Sequence, residues 1–277
     1  MQKNNYEILN RGFKGVGIKN IAKSYIEKIN YSYNHSFKEY EIVDNLDFLN
    51  KLIAKEEMNL FLYDELIKSR FNEMFGKPID NDKGWQCDKA VNLCHIVTDG
   101  SHFSPKADEN GNIPMLSVKD MRANEFCYDD CKMIANDVYQ TMLNQGCVPQ
   151  VGDVLVAKDG SYFTRAFAIN EFKKQAILSS IGLYRPNQSK ILPRFLADYL
   201  MSENVIDFVN NGYVTGSALK RVIIKGLKEI PVYIPPIDLQ KEYIRFVEQI
   251  DKLKFKVQER IKLYQELLDK KMDEYFN

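Results

Sequence analysis

The sequence predicts an α+β protein, with one globular mixed-sheet domain held between two long helices that pair. Three observations predict it. Residues 45–75 contain no glycine or proline and place apolar side chains at seven-residue intervals. Residues 239–276 do the same. Between them, from Trp85 to Pro236, glycines and prolines punctuate short apolar runs, the texture of strands and turns.

Composition sets the bounds. A chain of 277 residues with 45% hydrophobic and 12% aromatic residues is long enough to bury a core. Thirty-eight Lys+Arg balance thirty-eight Asp+Glu, which excludes a wholesale polycation. A local basic surface, and with it a nucleic-acid partner, remains compatible with a neutral total. Mean hydropathy is −0.37 and no run approaches the length of a membrane span. Met1–Asn5 lacks the apolar core of a signal peptide, so a reducing, cytoplasmic location is expected. The five cysteines, Cys87, Cys94, Cys127, Cys131 and Cys147, form no Cys-x-x-Cys pair. They read as ordinary thiols, with no metal site expected.

Residues 1–45 form a basic leader that the pattern leaves unassigned. Between Met1 and Tyr40, seven Lys/Arg face three acids, and a helix is plausible around Ile18–Ile29. The first long helix is expected over 46–76, stopped by Gly76 and Pro78. Ile53, Leu60, Ile67 and Met74 recur every seven residues, interleaved with Glu56, Tyr63 and Arg70. This is a heptad seam with polar members. The second long helix is expected over 241–277. There Ile261, Leu268 and Tyr275 interleave with Ile250, Val257, Tyr264 and Lys271.

An offset of 201 residues superposes the two helices: Lys51 on Lys252, Leu62-Tyr63 on Leu263-Tyr264, Glu65-Leu66 on Glu266-Leu267, Phe75 on Phe276. The register reads as an internal repeat. A helix of about 28 residues is about 42 Å long, more than a small core needs, so each helix is expected to pack on another. That partner is either the other helix of the same chain or a copy in a second chain.

The intervening domain, 77–240, should contain strands at Ile113–Val118, Val154–Ala157, Ala166–Ile169, Ala176–Tyr184 and Ile230–Ile234. One helix should start at Pro193 and run through Phe195, Tyr199 and Ile206. Three segments carry polar chemistry. Thr98–Lys106 is a turn-rich loop in which Ser101, His102 and Lys106 offer donors to phosphate oxygens and base edges. Gly152–Ser161 is turn, strand and turn. It delivers Lys158, Asp159, Ser161, and further on Tyr162 and Arg165, to one edge. Tyr213–Arg221 reads as the opening of a short helix capped by Ser217, with Lys220 and Arg221 completing a phosphate site.

Catalytic signatures are missing. The one Pro-Pro, in Ile234-Pro235-Pro236-Ile237, lacks the polar residue before it and the aromatic after it that an amino-methyltransferase loop uses. Gly15-Val16-Gly17 follows no strand, and Val156-Ala157-Lys158 has Val where a metal-binding acid would stand in a restriction-type nuclease. Three histidines and no phosphate loop leave little for a triad or a nucleotide site. No catalytic residue, metal or cofactor is therefore expected. A DNA-cleaving or DNA-methylating enzyme with an unrecognised site is the alternative reading, and a coiled-coil scaffold a third.

Taken in order, the motifs resemble the DNA-specificity (S) subunit of type I restriction-modification systems, and more closely one half of it. The resemblance rests on Trp85, Asp99–Pro105, Ile113-Pro114-Met115-Leu116, Gly152–Gly160, Gly216-Ser217 and Ile230–Gln240, followed by the long helix. It covers about residues 46–277. The chain departs from the family's usual Gly-Ser/Thr-Ile-Gly turn, with Gly160-Ser161-Tyr162-Phe163 in its place.

The resemblance implies a single target recognition domain flanked by helices that pair as an antiparallel coiled coil. It also implies a non-catalytic role: directing methyltransferase (M) and restriction (R) subunits to one half of a bipartite double-stranded DNA target. A homodimer, or pairing with another half-subunit, would complete the site. Lys106, Lys158, Arg165, Lys220 and Arg221 are then expected at phosphates. Ser101, His102, Asp159, Ser161 and Tyr162 are expected at base edges, with Ser217 at a helix start.

Overall fold

The structure is a computed structural model that describes residues 13–14, 20–21, 23–26, 28, 36–160, 163–216 and 221–276. Two short strands, β1 (Phe13–Lys14) and β2 (Asn20–Ile21), pair antiparallel and precede α1 (Lys23–Ile26) and the long helix α2 (Glu39–Phe75). Then follow β3 (Cys87–Lys89), α3 (Ala90–Leu93), β4 (Cys94–Asp99), β5 (Ile113–Leu116), β6 (Lys132–Ile134) and α4 (Asn136–Asn144). Next come β7 (Val154–Ala157), β8 (Ala166–Ala168), β9 (Ala176–Ile177), β10 (Ile181–Pro186), α5 (Pro193–Leu200) and α6 (Glu203–Gly212). The chain closes with β11 (Val214–Thr215), β12 (Arg221–Val222), α7 (Ile224–Glu229), β13 (Pro231–Tyr233) and α8 (Ile237–Phe276). Two compact units result: residues 1–64 with 251–277, and residues 65–250.

In the first unit the two long helices pair with each other, and they run antiparallel. Asn45 Nδ2 donates to Tyr275 Oη at 2.8 Å, Glu56 accepts two bonds from Arg260 at 2.7 and 3.0 Å, and Asp64 pairs with Lys254. As numbers rise along α2, those of their partners on α8 fall. The seam follows the heptad: Ile53, Glu56, Leu60 and Tyr63 are half-buried, as are Lys254, Ile261, Tyr264 and Lys271, while Val257 and Tyr275 are buried. The polar seam members are thus explained. Glu56 and Lys254 each find an opposite charge across the pair, so neither is desolvated alone. Phe37 closes the far end, edge-on to Tyr275 at 5.0 Å.

The second unit holds the sheets. Four antiparallel strands are ordered β4-β10-β7-β8, and a mixed sheet is ordered β6-β5-β9 with β5 and β9 parallel. Val154–Ala157 is buried at every position, as a central strand covered on both faces must be. At the base, Phe71, Phe75, Phe195, Tyr199, Tyr233 and Tyr243 form one aromatic cluster with centroids 4.8–6.5 Å apart. Its tyrosine hydroxyls are all satisfied: Tyr199 donates to Pro231 O, Tyr233 to Gly76 O and Tyr243 to Asp198. Gln240, fully buried, donates to Lys190 O at 3.0 Å and Pro235 O at 2.9 Å and accepts from Leu192 N at 2.8 Å.

Several sequence expectations shift. Ala176–Tyr184 is not one strand: a turn at Leu178–Ser180 splits it into β9 and β10, which join different sheets. The helix from Pro193 ends at Leu200, and Ser202, extended at φ −69 and ψ 140, separates it from α6. The described residues of Tyr213–Arg221 are not helical. Val214 and Thr215 pair with Val222 and Arg221, and the helix begins only at Ile224. Ser217 and its expected cap lie outside the described residues. Of the helix expected around Ile18–Ile29, Lys23–Ile26 is helical, whereas Asn20–Ile21 is strand. Strands β4 and β6 and helix α4 carry no long apolar run, which is why the pattern misses them. Among the described residues no helix is long and apolar enough to cross a membrane.

Candidate nucleic-acid interface

Three loops meet at one end of the four-stranded sheet. Strand β10 begins there, with Gly182 paired to Asp99 on one side and to Val156 on the other. Asp99 ends β4, Lys158 follows β7, and Arg221 in β12 forms a bridge with Asp159. The Leu178–Ser180 turn binds the group together. Ser179 N donates to Ser101 O at 2.9 Å, Lys158 N donates to Ser180 O at 2.9 Å, and Val118 N donates to Ser180 Oγ at 3.1 Å. Gly100 permits this closeness, since a Cβ there would sit 2.3 Å from Ile177 O.

A buried ionic cluster lies beneath. Lys158, 2% exposed, places Nζ 3.4 Å from Asp99 Oδ2 and 3.2 Å from Asp159 Oδ1. Each carboxylate reaches a second partner nearer solvent: Asp159 pairs with Arg221 at 3.1 Å, and Asp99 meets His102 Nε2 at 3.2 Å. One lysine thus lies between two acids contributed by two loops, and those acids in turn pair with Arg221 and His102. Deeper in the domain, Asp153 is fully buried and bidentate to Arg185 at 2.7 and 2.8 Å, which raises the arginine pKa. The aspartate of the Gly152-Asp153 motif is therefore a scaffold residue.

This placement sorts the sequence-predicted residues. His102 and Lys106 are exposed, and Arg221 is about half exposed. Arg165 is half-buried, donating to Met121 O at 3.0 Å. Lys158, Asp159 and Ser101 correct the expectation: all three are buried, and their polar atoms bond to protein rather than to open solvent. A lysine enclosed by two carboxylates is not free for a phosphate. Ser161, Tyr162, Ser217 and Lys220 lie outside the described residues. Sequence reasoning missed Asp99, which it left inside the turn-rich loop Thr98–Lys106. It also missed Lys132, whose Nζ donates to Ser104 Oγ at 2.6 Å and Pro105 O at 2.8 Å. No local signal marks Lys132, since its partners lie far back in the chain. Among the described residues no group of His, Cys, Asp and Glu is placed to hold a metal ion.

The chain is similar to the S subunit of a type I restriction-modification system from M. genitalium, with 14% identity and a TM-score of 0.57, over 99% of this chain and 70% of that one. It is also similar to a chain from a structure of the type I R-M system determined for its complex assembly and conformational transition. That match has 15% identity and a TM-score of 0.55, over 84% of this chain and 56% of the other. At these identities the likeness is one of fold. A search of curated proteins finds no match. The chain belongs to the family of the type I restriction modification DNA specificity domain, whose model matches residues 82–266. Its business is DNA sequence specificity, carried by one such domain.

Proposed function

We propose that this chain is the non-catalytic specificity component of a type I restriction-modification complex, reading one half of a bipartite duplex target. The target recognition domain is 77–240, bracketed by helical segments 46–76 and 241–277. The observation that carries this reading is the three-loop face, in which a buried Lys158 fixes Asp99 and Asp159 and so presents Arg221 and His102 outward. Lys106, Arg165 and Arg221 contact phosphates, and His102 addresses a base edge. Ser161, Tyr162, Ser217 and Lys220 join them on sequence alone, as neighbours of Gly160 and Arg221 in the chain.

The paired helices supply the partner surface. Outside their seam they expose Phe48, Met58, Phe61 and Leu62 on α2, and Phe255 and Leu263 on α8. Large apolar side chains exposed along a paired helix call for cover. Methyltransferase subunits and a second half-subunit, with the restriction subunit in the full assembly, provide it.

The test is direct. The purified chain should be retained on duplex DNA at low salt and released by added salt. Replacing Lys106 or Arg221 by Ala should weaken binding to all sequences alike and lower the salt slope by about one each. With plasmid, Mg²⁺ and S-adenosylmethionine, the chain alone should neither cleave nor methylate, and either activity would favour the enzyme reading instead.

A further inference from the structure

Phe103 stands out on the candidate face. It is 63% exposed, at the tip of the loop that leaves β4. Its neighbours His102 and Ser104 are also exposed, whereas Ser101 and Pro105 on either side are buried. The tip is held rigidly. Ser101 Oγ accepts from Phe103 N at 3.1 Å and donates to Phe103 O at 2.9 Å, closing a tight side-chain turn. Ser101 N is pinned to Ile177 O at 2.8 Å. On the far side Lys132 clamps Ser104 and Pro105. A loop this firmly fixed could have turned its one aromatic ring inward, and it does not. The ring sits one residue from His102, which is tied to Asp99 of the ionic cluster, and three residues from Lys106.

We propose that Phe103 is a specificity-determining wedge, which inserts its ring against a base step of the DNA half-site while the cationic groups around it hold the backbone. This rests on the DNA-reading function proposed above and adds a residue that the polar-donor logic of the sequence passes over. The chemistry fits. Phenylalanine has no donor or acceptor, so it contributes by stacking on a base plane and by partial unstacking of a deformable step. A ring on an anchored loop also loses little freedom on binding.

The experiment uses the full chain and the duplex sequence found by mapping methylation in the assembled complex. 2-Aminopurine is placed at successive positions of the half-site, and F103A and F103L are compared with the wild type. Wild-type protein should raise 2-aminopurine fluorescence at one step, F103L should do so in part, and F103A not at all. F103A should lower affinity for that duplex about tenfold and for unrelated duplex less than twofold, with unchanged thermal stability. An F103A protein with wild-type affinity and an unaltered fluorescence profile would overturn the wedge while leaving the DNA-reading function standing. A wild-type chain that binds no duplex at any salt would overturn both.

Discussion

Lys158 shows how a residue type can be read correctly and its role misread. The Ala-Lys-Asp-Gly run announces a cation at the end of a strand, and the cation is there. Only tertiary structure shows that Asp99, far back in the chain, encloses it. K158M would leave two buried carboxylates without their shared counter-charge and should cost ~3–5 kcal/mol. Urea denaturation measures it, and a loss under ~1 kcal/mol would contradict the enclosed role. Phe163 is a second case. It is fully buried yet holds φ at 51°, in the left-handed region, at the position where the resembled turn carries glycine. Removing the ring should cost ~3–5 kcal/mol, and restoring glycine should return ~1–2 kcal/mol of backbone strain. F163G should therefore be more stable than F163A, the reverse of the usual order, when both are compared by thermal melting. Burial pushes the Cys94 thiol up to about 12, so it stays protonated at neutral pH.

At the scale of the element, the long helices were the most legible part, because period and length are local properties. The residues that keep the heptad are the ones the pair covers, polar Glu56 and Lys254 included. Short strands were less legible. Cys94–Asp99 mixes Cys, His and Thr into a strand whose neighbours supply its burial, and the break in Ala176–Tyr184 depends on hydrogen bonds from Ser101 and Lys158. The helix pair has its own acid signature. Hydrogen bonds from Arg260, then Asn59, hold the Glu56 carboxyl below its ordinary range. A carboxylate whose folded pKa is depressed adds stability above its unfolded pKa and loses it as pH falls through the folded value. E56Q should flatten that acid limb of the stability–pH curve, and an unchanged limb would contradict the pairing. At the start of α8, Gln240 ties three backbone groups that have no other role in the sheet. Q240A should strand them and cost ~2–3 kcal/mol in urea denaturation. From sequence alone this glutamine was only part of a proline-rich exit.

At the scale of the whole molecule, the order and spacing of weak motifs pointed to one family, though none of them was specific singly. The candidate site was legible only by residue type. Exposed His102, Lys106 and Arg221 could be chosen by type, whereas the burial of Lys158 and Asp159 needed the packing around Ser101 and Ser180. A reader with one recognition domain has a consequence for its target. If two copies complete the assembly, protein two-fold symmetry is imposed on the DNA. The decisive measurement is therefore to express the chain with its methyltransferase subunits and to sequence the sites they modify. The account predicts one interrupted motif whose two halves are inverted copies of each other. Methylation without sequence preference, or an unchanged pattern when His102, Lys106 and Arg221 are replaced together, would contradict it.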